Sequence, residues 1–278
     1  MIIPYSCHEA PLALVIFDID GVVRDVAQSY RRAIADTVEY YTQGEYRPSM
    51  ADLDALKTEG IWNNDWKASE ELIFRHYESH GKSRDEVGDH YDEIVDFFQG
   101  KYRGDNYSGY IKDEPLLMTQ EYLQSLSDGQ IGWGFFSGAT QGSANFVLQQ
   151  RLEIQAPVLI AMEDAPSKPD PQGLFQAIDM LLNALSEQKQ VGIPVLYVGD
   201  TVADMKTAQN AAQKDNSRPF YSIGIIPPHA WESNEYAPNL KQHGAVEVYK
   251  TVTDLTPLAI KKILDKSNRQ GTFQQEAD

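Results

Sequence analysis

Short apolar runs that stop at small or acidic residues recur along this 278-residue chain. The first run, LALVIF at residues 12–17, has no polar alternation, which is typical of a strand buried on both faces of a sheet. Further runs of the same kind predict core strands, and two weaker runs near the end of the chain predict edge strands. These segments are 131–136, 158–161 and 194–198 for the core, and 220–226 and 245–248 for the edges.

Helical patterns separate the later strands. Apolar residues at spacings of three and four predict helices over residues 139–152, 171–185, 203–213 and 254–266. Alternation of strand and helix indicates parallel βαβ units. We therefore predict an α/β protein with a Rossmann-like, doubly wound parallel sheet as its core.

Residues 26–112 show a different pattern, rich in Asp, Glu, Tyr, Lys and Gln, with helical periodicity and little strand signal. The predicted helices of this segment are 26–41, 49–58, 69–80 and 84–99. We predict an all-helical cap domain inserted after the first strand. The expected boundaries are 1–25 and 113–266 for the core, 26–112 for the cap, and 267–278 for a polar, flexible tail.

Composition narrows the range of partners. The chain carries 24 Lys and Arg against 41 Asp and Glu, a net charge of −17, which argues against nucleic acids and anionic membrane surfaces. No apolar run approaches the roughly 20 residues of a membrane span, and the first residues lack the basic start of a signal peptide. The single cysteine, Cys7, excludes a disulfide within the chain, so we expect a cytoplasmic protein.

Acidic residues follow two of the predicted core strands. Asp18 and Asp20 end the first strand in the sequence DIDG, and Asp200 and Asp204 follow another in GDTVAD. The carboxyl ends of parallel strands gather ligands at one edge of the sheet, and carboxylates that lie close together repel unless a cation such as Mg²⁺ holds them. Taken alone, the first motif also fits an acidic turn, and Asp204 fits a helix-start acid that the macrodipole favours.

Two other motifs suit phosphate. Ser137 and Gly138 follow a core strand at a predicted helix start, where a hydroxyl and backbone N–H groups can hold an anion. Lys168 lies between Ser167 and Pro169 near another helix start, which is unfavourable for the helix dipole and typical of a working site. Alone, Ser137 also fits a helix cap and Lys168 a solvated surface lysine. The occurrence of all four motifs at strand ends favours a shared site.

Over about residues 12–265 the chain resembles the haloacid dehalogenase (HAD) superfamily, in the group with a helical C1 cap. Phosphoglycolate-phosphatase-like and phosphomutase-like members are closest in pattern. The matching residues are Asp18-Ile19-Asp20-Gly21-Val22, Ser137, Lys168, and Asp200 with Asp204.

The resemblance implies a phosphatase that hydrolyses a small phosphorylated metabolite. In that mechanism Asp18 forms an aspartyl phosphate, and Asp20 protonates the leaving oxygen and later activates water. It also implies Mg²⁺ held by Asp18, the backbone carbonyl of Asp20, and Asp200. Asp204 would be a ligand or reach the ion through water. Ser137, Gly138 and Lys168 would hold the phosphate.

Several alternatives stay open. Metal-independent dehalogenases of this fold lack an acid at the position of Asp20, so that activity is disfavoured. A phosphomutase shares every motif, and a phosphonatase would need a cap lysine, for which Lys57, Lys67 and Lys101 are available. A phosphoryl-accepting signalling switch or an inactive binding module is the alternative from another class. The sequence leaves the choice between monomer and homodimer open.

Substrate specificity is expected to lie in the cap. Arg24 could contact an anionic substrate group or pair with a neighbouring acid. In the loop 60–66, Asn63, Asn64 and Trp66 could bind sugar hydroxyls and stack on a sugar face, or the loop could be a simple helix connection anchored by its tryptophans. We expect His76 and His80, at i and i+4, to be ordinary surface residues, because no third metal ligand is evident.

Overall fold

The computed structural model describes residues 10–62, 64–183 and 192–275, and the side chains of 267–275 lie outside that description. The chain divides into two compact units. The first comprises Met1–Val23 and Leu117–Asp278, and the second is Arg24–Leu116. The second unit is slightly longer at both ends than the predicted cap of residues 26–112. Arg24 and Leu116, which pair in an isolated antiparallel bridge, both belong to it.

One six-stranded, fully parallel sheet forms the centre of the first unit, in the order β3-β2-β1-β4-β5-β6. Its strands are β1 (Ala13–Phe17), β2 (Ile131–Phe136), β3 (Leu159–Ile160), β4 (Val195–Gly199), β5 (Phe220–Ile225) and β6 (Ala245–Tyr249). Every residue of β1, β2 and β4 is buried, as the uninterrupted apolar runs predicted. The predicted fold class is therefore confirmed.

The strand order reverses next to β1. From β1 the chain builds outward through β2 and β3 on one side, and then through β4, β5 and β6 on the other. In open α/β sheets, ligands bind beyond the carboxyl ends of the strands at such a reversal. Phe17 of β1 lies opposite Phe135 of β2 and Val198 of β4, so the residues that follow these strands emerge at one edge.

Among the described residues of the second unit, the regular elements are helices joined by turns and loops. Its helices are α1 (Tyr30–Tyr41), α2 (Met50–Thr58), α3 (Asp65–Ser79), α4 (Arg84–Val87) and α5 (Tyr91–Tyr102), followed by two 3₁₀ turns, Asp105–Tyr107 and Tyr110–Asp113. The predicted helix over 84–99 is two helices, because α4 ends at Gly88. The helix predicted from residue 69 begins at Asp65, because the Asn64 side chain caps it.

Further helices surround the sheet in the first unit. They are α6 (Gln120–Asp128), α7 (Gln141–Asn145) with a π-helical continuation (Phe146–Arg151), α8 (Gln172–Asn183), α9 (Val202–Lys214), α10 (Tyr236–Gln242) and α11 (Pro257–Gln275). Neither α6 nor α10 was predicted. Helix α11 continues through residues expected to belong to a flexible tail, beyond the predicted end at 266. Within the described part of the chain, no helix is both long and apolar enough to span a membrane.

Helix α8 packs closely on the centre of the sheet. Leu174 and Ile178 of α8 join Leu14 and Ile16 of β1 in one buried cluster, which also contains Tyr197. At Gly173, a Cβ atom would lie 2.2 Å from the Phe136 ring. Only glycine therefore allows α8 to approach β2 this closely.

We expect Gly173→Ala to destabilise the first unit by about 1–3 kcal/mol, because the buried Phe136 ring has little room to move. Gly100→Ala is the matched control. Gly100 lies in α5 with open space around it, so the better helix former should be neutral or stabilising by up to about 1 kcal/mol. Urea unfolding, with hydrogen exchange resolved for peptides of β2 and α5, measures both effects. Equal stability of the Gly173→Ala variant and the parent would contradict this packing.

Candidate active site

Three acids meet where β1 and β4 end. Asp18 follows β1, Asp200 follows β4, and Asp204 lies in the first turn of α9. They are 6%, 5% and 0% exposed, and one carboxylate oxygen from each lies within 4.8 Å of the others. The structure thus brings together Asp18 and Asp200, which are 182 positions apart in sequence. Oxygen ligands of this kind suit a hard divalent cation.

Lys168 inserts its ammonium group between two of these acids. Its Nζ lies 2.9 Å from Asp18 Oδ2 and 2.7 Å from Asp204 Oδ1, and the side chain is only 9% exposed. The rings of Phe136 and Tyr197 flank the ammonium, with centroids 5.5 and 5.6 Å away. Lys168 is therefore a buried part of the site rather than a solvated surface lysine. The peptide bond from Lys168 to Pro169 is cis.

Four donors surround Asp204. Its Oδ2 accepts from the backbone N–H of Thr201 at 3.0 Å and from the Thr201 hydroxyl at 2.6 Å. Its Oδ1 accepts from Lys168 at 2.7 Å and faces the Tyr197 hydroxyl at 3.1 Å. A carboxylate offers about four lone-pair positions. This arrangement favours an orienting role for Asp204, which holds Lys168 in place and caps α9.

Gly21 makes room for Asp200. Its φ is +77°, and a Cβ atom there would lie 2.1 Å from Asp200 Oδ2. Any other residue would suffer both backbone strain and a collision with the acid. The DIDG motif therefore requires glycine at this position, because the segments that follow β1 and β4 come so close together.

The site concentrates negative charge in a buried position. Burial raises the pKa of the Asp18 carboxyl to about 7; the nearby Lys168 ammonium opposes this shift, while the charges of Asp204 and Asp20 add to it. Burial alone would lower the pKa of Lys168, but Asp18 and Asp204 outweigh it and hold that pKa well above its ordinary value. The cluster holds three carboxylates, and Lys168 supplies one positive charge, so a divalent cation at Asp18 and Asp200 would complete the charge balance.

The predicted phosphate cradle has a different local structure from the one expected. Helix α7 begins at Gln141 and is capped by Thr140, whose side chain accepts from the N–H of Ser143. The prediction of a helix start at Ala139 was therefore wrong, and Ser137 is not its cap. Ser137 is buried, and its Oγ accepts from the N–H of Ala139 at 3.1 Å. Gly138 is exposed, with open space beside its Cα.

Asp20 lies apart from the carboxylate cluster. It is partly exposed, in the turn that follows Asp18, and its charge contributes to the raised pKa of Asp18. Among the residues that the structure describes, the clustered acids are Asp18, Asp200 and Asp204.

Two of the proposed specificity residues, Arg24 and Asn64, have structural partners within the second unit. Arg24 is fully buried and donates to Glu114 at 2.8 Å. Of the two roles considered for Arg24, the structure therefore contains the pairing with an acid. Asn64 Oδ1 accepts from the N–H groups of Trp66 and Lys67 and thereby caps α3. Trp66 is half-buried, and Asn63 lies outside the described residues. Substrate contacts by these residues stay predictions.

One histidine of the pair lies at the surface as expected, since His80 is exposed, but the other does not. His76 is buried, its Nε2 lies 3.2 Å from Glu45 Oε2, and its ring stacks on Tyr46 with a centroid separation of 5.7 Å. His80 packs against it at 4.5 Å between ring centroids. The expectation of ordinary surface was therefore wrong for His76, because its ring fills space between cap helices.

Sequence reasoning also missed two residues of the site. The apolar run 194–198 predicts Tyr197 only as a strand residue, but its hydroxyl donates to Asp204 Oδ1. Thr201 was not singled out, although a threonine three residues before an acid at a helix start is the signature of a capping box. That spacing could have identified Thr201 as a partner of Asp204.

The parallel sheet and the buried acids at its edge define an α/β protein with a Rossmann-like core. Residues 12–212 match the family model of haloacid dehalogenase-like hydrolases, so this chain belongs to that family. The resemblance drawn from the four motifs is thereby confirmed.

Solved structures share this fold. A HAD hydrolase of family IA, variant 3, from Entamoeba histolytica superposes with a TM-score of 0.58 at 16% identity, over 91% of this chain and 98% of that one. A β-phosphoglucomutase from Clostridium difficile gives 0.56 at 16% identity, over 92% and 98%. A phosphatase from Thermococcus thioreducens gives 0.56 at 22% identity, over 76% and 92%.

A curated protein is similar in sequence over most of this chain. It is an imidazoleglycerol-phosphate dehydratase from Phytophthora nicotianae, 26% identical over 263 residues, which is 92% of this chain and 49% of that protein. This chain therefore spans about half the length of that relative.

The raised pKa of Asp18 predicts a pH effect on the metal-free protein. Between pH 4 and 7 the unfolded Asp18 ionises while the folded one keeps its proton, so the free energy of unfolding should fall as the pH rises. Asp18→Asn removes this pH-dependent loss of stability, because asparagine does not ionise. Relative to that variant, the parent should lose a few kcal/mol between pH 5 and 8, since one pKa unit is worth about 1.4 kcal/mol. Urea unfolding of both proteins in EDTA tests this, and parallel pH profiles would contradict it.

Proposed function

We propose that this chain is a Mg²⁺-dependent phosphatase that hydrolyses a small phosphate monoester through an aspartyl phosphate on Asp18. The observation that carries the proposal is the buried Asp18–Asp200 pair beside Lys168, at the carboxyl ends of β1 and β4. Membership of the HAD-like hydrolases supports hydrolysis as the reaction class.

The donor set fits one hard divalent cation. Asp18 and Asp200 would supply carboxylate oxygens, and the backbone carbonyl of Asp20 is the third protein ligand that we expect. Mg²⁺ bound there would neutralise charge on the phosphoryl group and on the acids.

Two fixed partners orient the Asp18 carboxylate, which supports its proposed role as the nucleophile. Its Oδ1 accepts from the N–H of Ile19 at 2.7 Å, and its Oδ2 pairs with Lys168. In the proposed reaction, a carboxylate oxygen of Asp18 bonds to phosphorus as the bond to the alcohol oxygen breaks. Asp20 gives its proton to that leaving oxygen and then takes one from the water that cleaves the aspartyl phosphate.

Fixed positive and polar groups would hold the phosphoryl oxygens. Lys168 supplies the charge, and its position is fixed by Asp204. The Ser137 hydroxyl and the N–H of the exposed Gly138 would donate to the remaining oxygens. Preorganised donors of this kind account for most of the catalysis in phosphoryl transfer.

Other activities of the fold make different demands. A phosphomutase would return the phosphoryl group to its substrate instead of releasing phosphate. A phosphonatase needs a cap lysine as nucleophile, but Lys57 is engaged with Asp65 at 2.6 Å, and Lys101 lies over the Phe97 ring. A signalling switch would be phosphorylated once, whereas an enzyme turns over.

The net charge of −17 supports a small metabolite as the partner rather than nucleic acid or membrane lipid, and we infer a cytoplasmic enzyme that acts as a monomer or homodimer. The substrate panel should contain sugar phosphates, phosphoglycolate and phosphonates. It should also contain phosphate esters with an imidazole ring, because the name of the curated relative includes imidazoleglycerol phosphate.

Multiple turnovers of phosphate release are expected with Mg²⁺ and at least one ester of this panel. Asp18→Asn should lower kcat by at least about 1000-fold, because the nucleophile is lost. Asp128→Asn, on the exposed end of α6, is the matched control and should keep the parental rate. Release of phosphate by the Asp18→Asn variant at the parental rate would refute the mechanism.

Asp20→Asn should trap the phosphorylated enzyme, since Asp20 is the proposed base for the second step. Intact-protein mass spectrometry after mixing with substrate should show one added phosphoryl group, and peptide mapping should place it on Asp18. A phosphoryl group on another residue would overturn the assignment of the nucleophile.

A divalent cation should stabilise the folded protein. At a Mg²⁺ concentration 100 times its Kd, the expected gain is about 2.7 kcal/mol, seen as a rise in Tm. Gly21→Ala should abolish this gain, because the added methyl collides with Asp200. Gly81→Ala is the control. Its φ of +81° carries the same backbone strain, but nothing lies within 4 Å, so its Mg²⁺ response should match the parent. An equal response from Gly21→Ala would contradict the predicted metal site.

A further inference from the structure

Tyr236 reaches the active site from a part of the chain outside the match to the family model, which ends at residue 212. It is the first residue of α10, and its hydroxyl donates to the backbone carbonyl of Asp200 at 3.0 Å. The ring packs against the buried cluster that contains Met205 and Leu240, and it meets the His229 ring edge-on. The hydroxyl is thus carried by a ring that is held in place on two sides.

The peptide group between Asp200 and Thr201 is held at both ends. Its carbonyl accepts from Tyr236, and its N–H donates to Asp204 Oδ2 at 3.0 Å. In a planar trans peptide these two groups point in opposite directions. The two hydrogen bonds together therefore fix the rotation of this peptide plane.

The orientation of that peptide matters because Asp200 has little free space. Its Oδ2 is so close to Gly21 that a Cβ atom there would be 2.1 Å away. A tilt of the peptide would move the Asp200 carboxylate away from Asp18. The same tilt would displace the N–H that holds Asp204, and Asp204 in turn holds Lys168.

We propose that Tyr236 is a positioning residue that sets the Asp200 carboxylate for divalent cation binding, through the Asp200–Thr201 peptide. The inference rests on the proposed function, because it takes Asp200 as a metal ligand. Tyr236 itself does not touch the substrate or the reacting atoms. Groups that orient metal-binding carboxylates typically change metal affinity or activity by roughly 10- to 100-fold when removed.

The test compares Tyr236→Phe with the parent. This change removes the hydroxyl and keeps the ring that packs on Met205 and Leu240. We expect the Kd for Mn²⁺, measured by electron paramagnetic resonance in the absence of substrate, to rise by roughly 10-fold. Mg²⁺ competition should show the same shift. At saturating Mg²⁺, the kcat of Tyr236→Phe should come within about twofold of the parental value. A high ion concentration fills the weakened site by mass action.

Tyr221→Phe is the matched control. Tyr221 lies near the start of β5, at the end of the strand opposite the site, and is also partly exposed. Its Mn²⁺ affinity should equal that of the parent. Tyr236→Leu, which also removes the ring, should weaken Mn²⁺ binding at least as much as Tyr236→Phe and lower the Tm.

The outcomes separate this inference from the proposed function. If the parent binds Mn²⁺ and releases phosphate, but Tyr236→Phe binds the ion with unchanged Kd, the positioning role falls and the proposed function stands. Loss of kcat at saturating Mg²⁺ with an unchanged Kd would overturn it equally. If the parent binds no divalent cation, both the inference and the metal-dependent function fall.

Discussion

The burial of several like charges in one place is the constraint on which the rest of this structure depends. Three carboxylates lie together at the carboxyl ends of β1 and β4, and the Lys168 ammonium pairs with two of them, Asp18 and Asp204. Moving an ion out of water costs several kcal/mol even in real proteins, so such a cluster persists only where partners are fixed. The parallel sheet provides that rigidity, because β1 is paired on both sides and every one of its residues is buried.

The acids of the cluster are not equivalent. Asp204 faces four donors and is 0% exposed, so its lone pairs are engaged by the protein itself. Asp18 has one backbone donor and one ammonium, which leaves lone pairs for the proposed cation and for the proposed attack on phosphorus. One acid therefore organises the site, while Asp18 and Asp200 are the groups suited to binding and chemistry.

The sequence was sufficient for the sheet and for the acids, because both follow from short-range patterns. A strand buried on both faces has to be continuously apolar, and an acid directly after such a strand must emerge at its end. Features set by tertiary contact were not predictable. The turn Ser137–Ala139 before α7 and the pairing of Arg24 with Glu114, 90 positions away, leave no local pattern. Helix α10 has seven residues and a proline, too short for a periodic signal.

That short helix shows why motifs alone underdetermine the site. The GDTVAD motif supplies Asp200 and Asp204, but the plane of the peptide between Asp200 and Thr201 is set by Tyr236, 36 residues further along the chain. The family match ends at residue 212, before β5, β6 and α10. These later elements carry no acid of the cluster, yet they bury the Tyr236 ring whose hydroxyl orients Asp200. The charge cluster thus depends on packing contributed by a region in which no catalytic motif occurs.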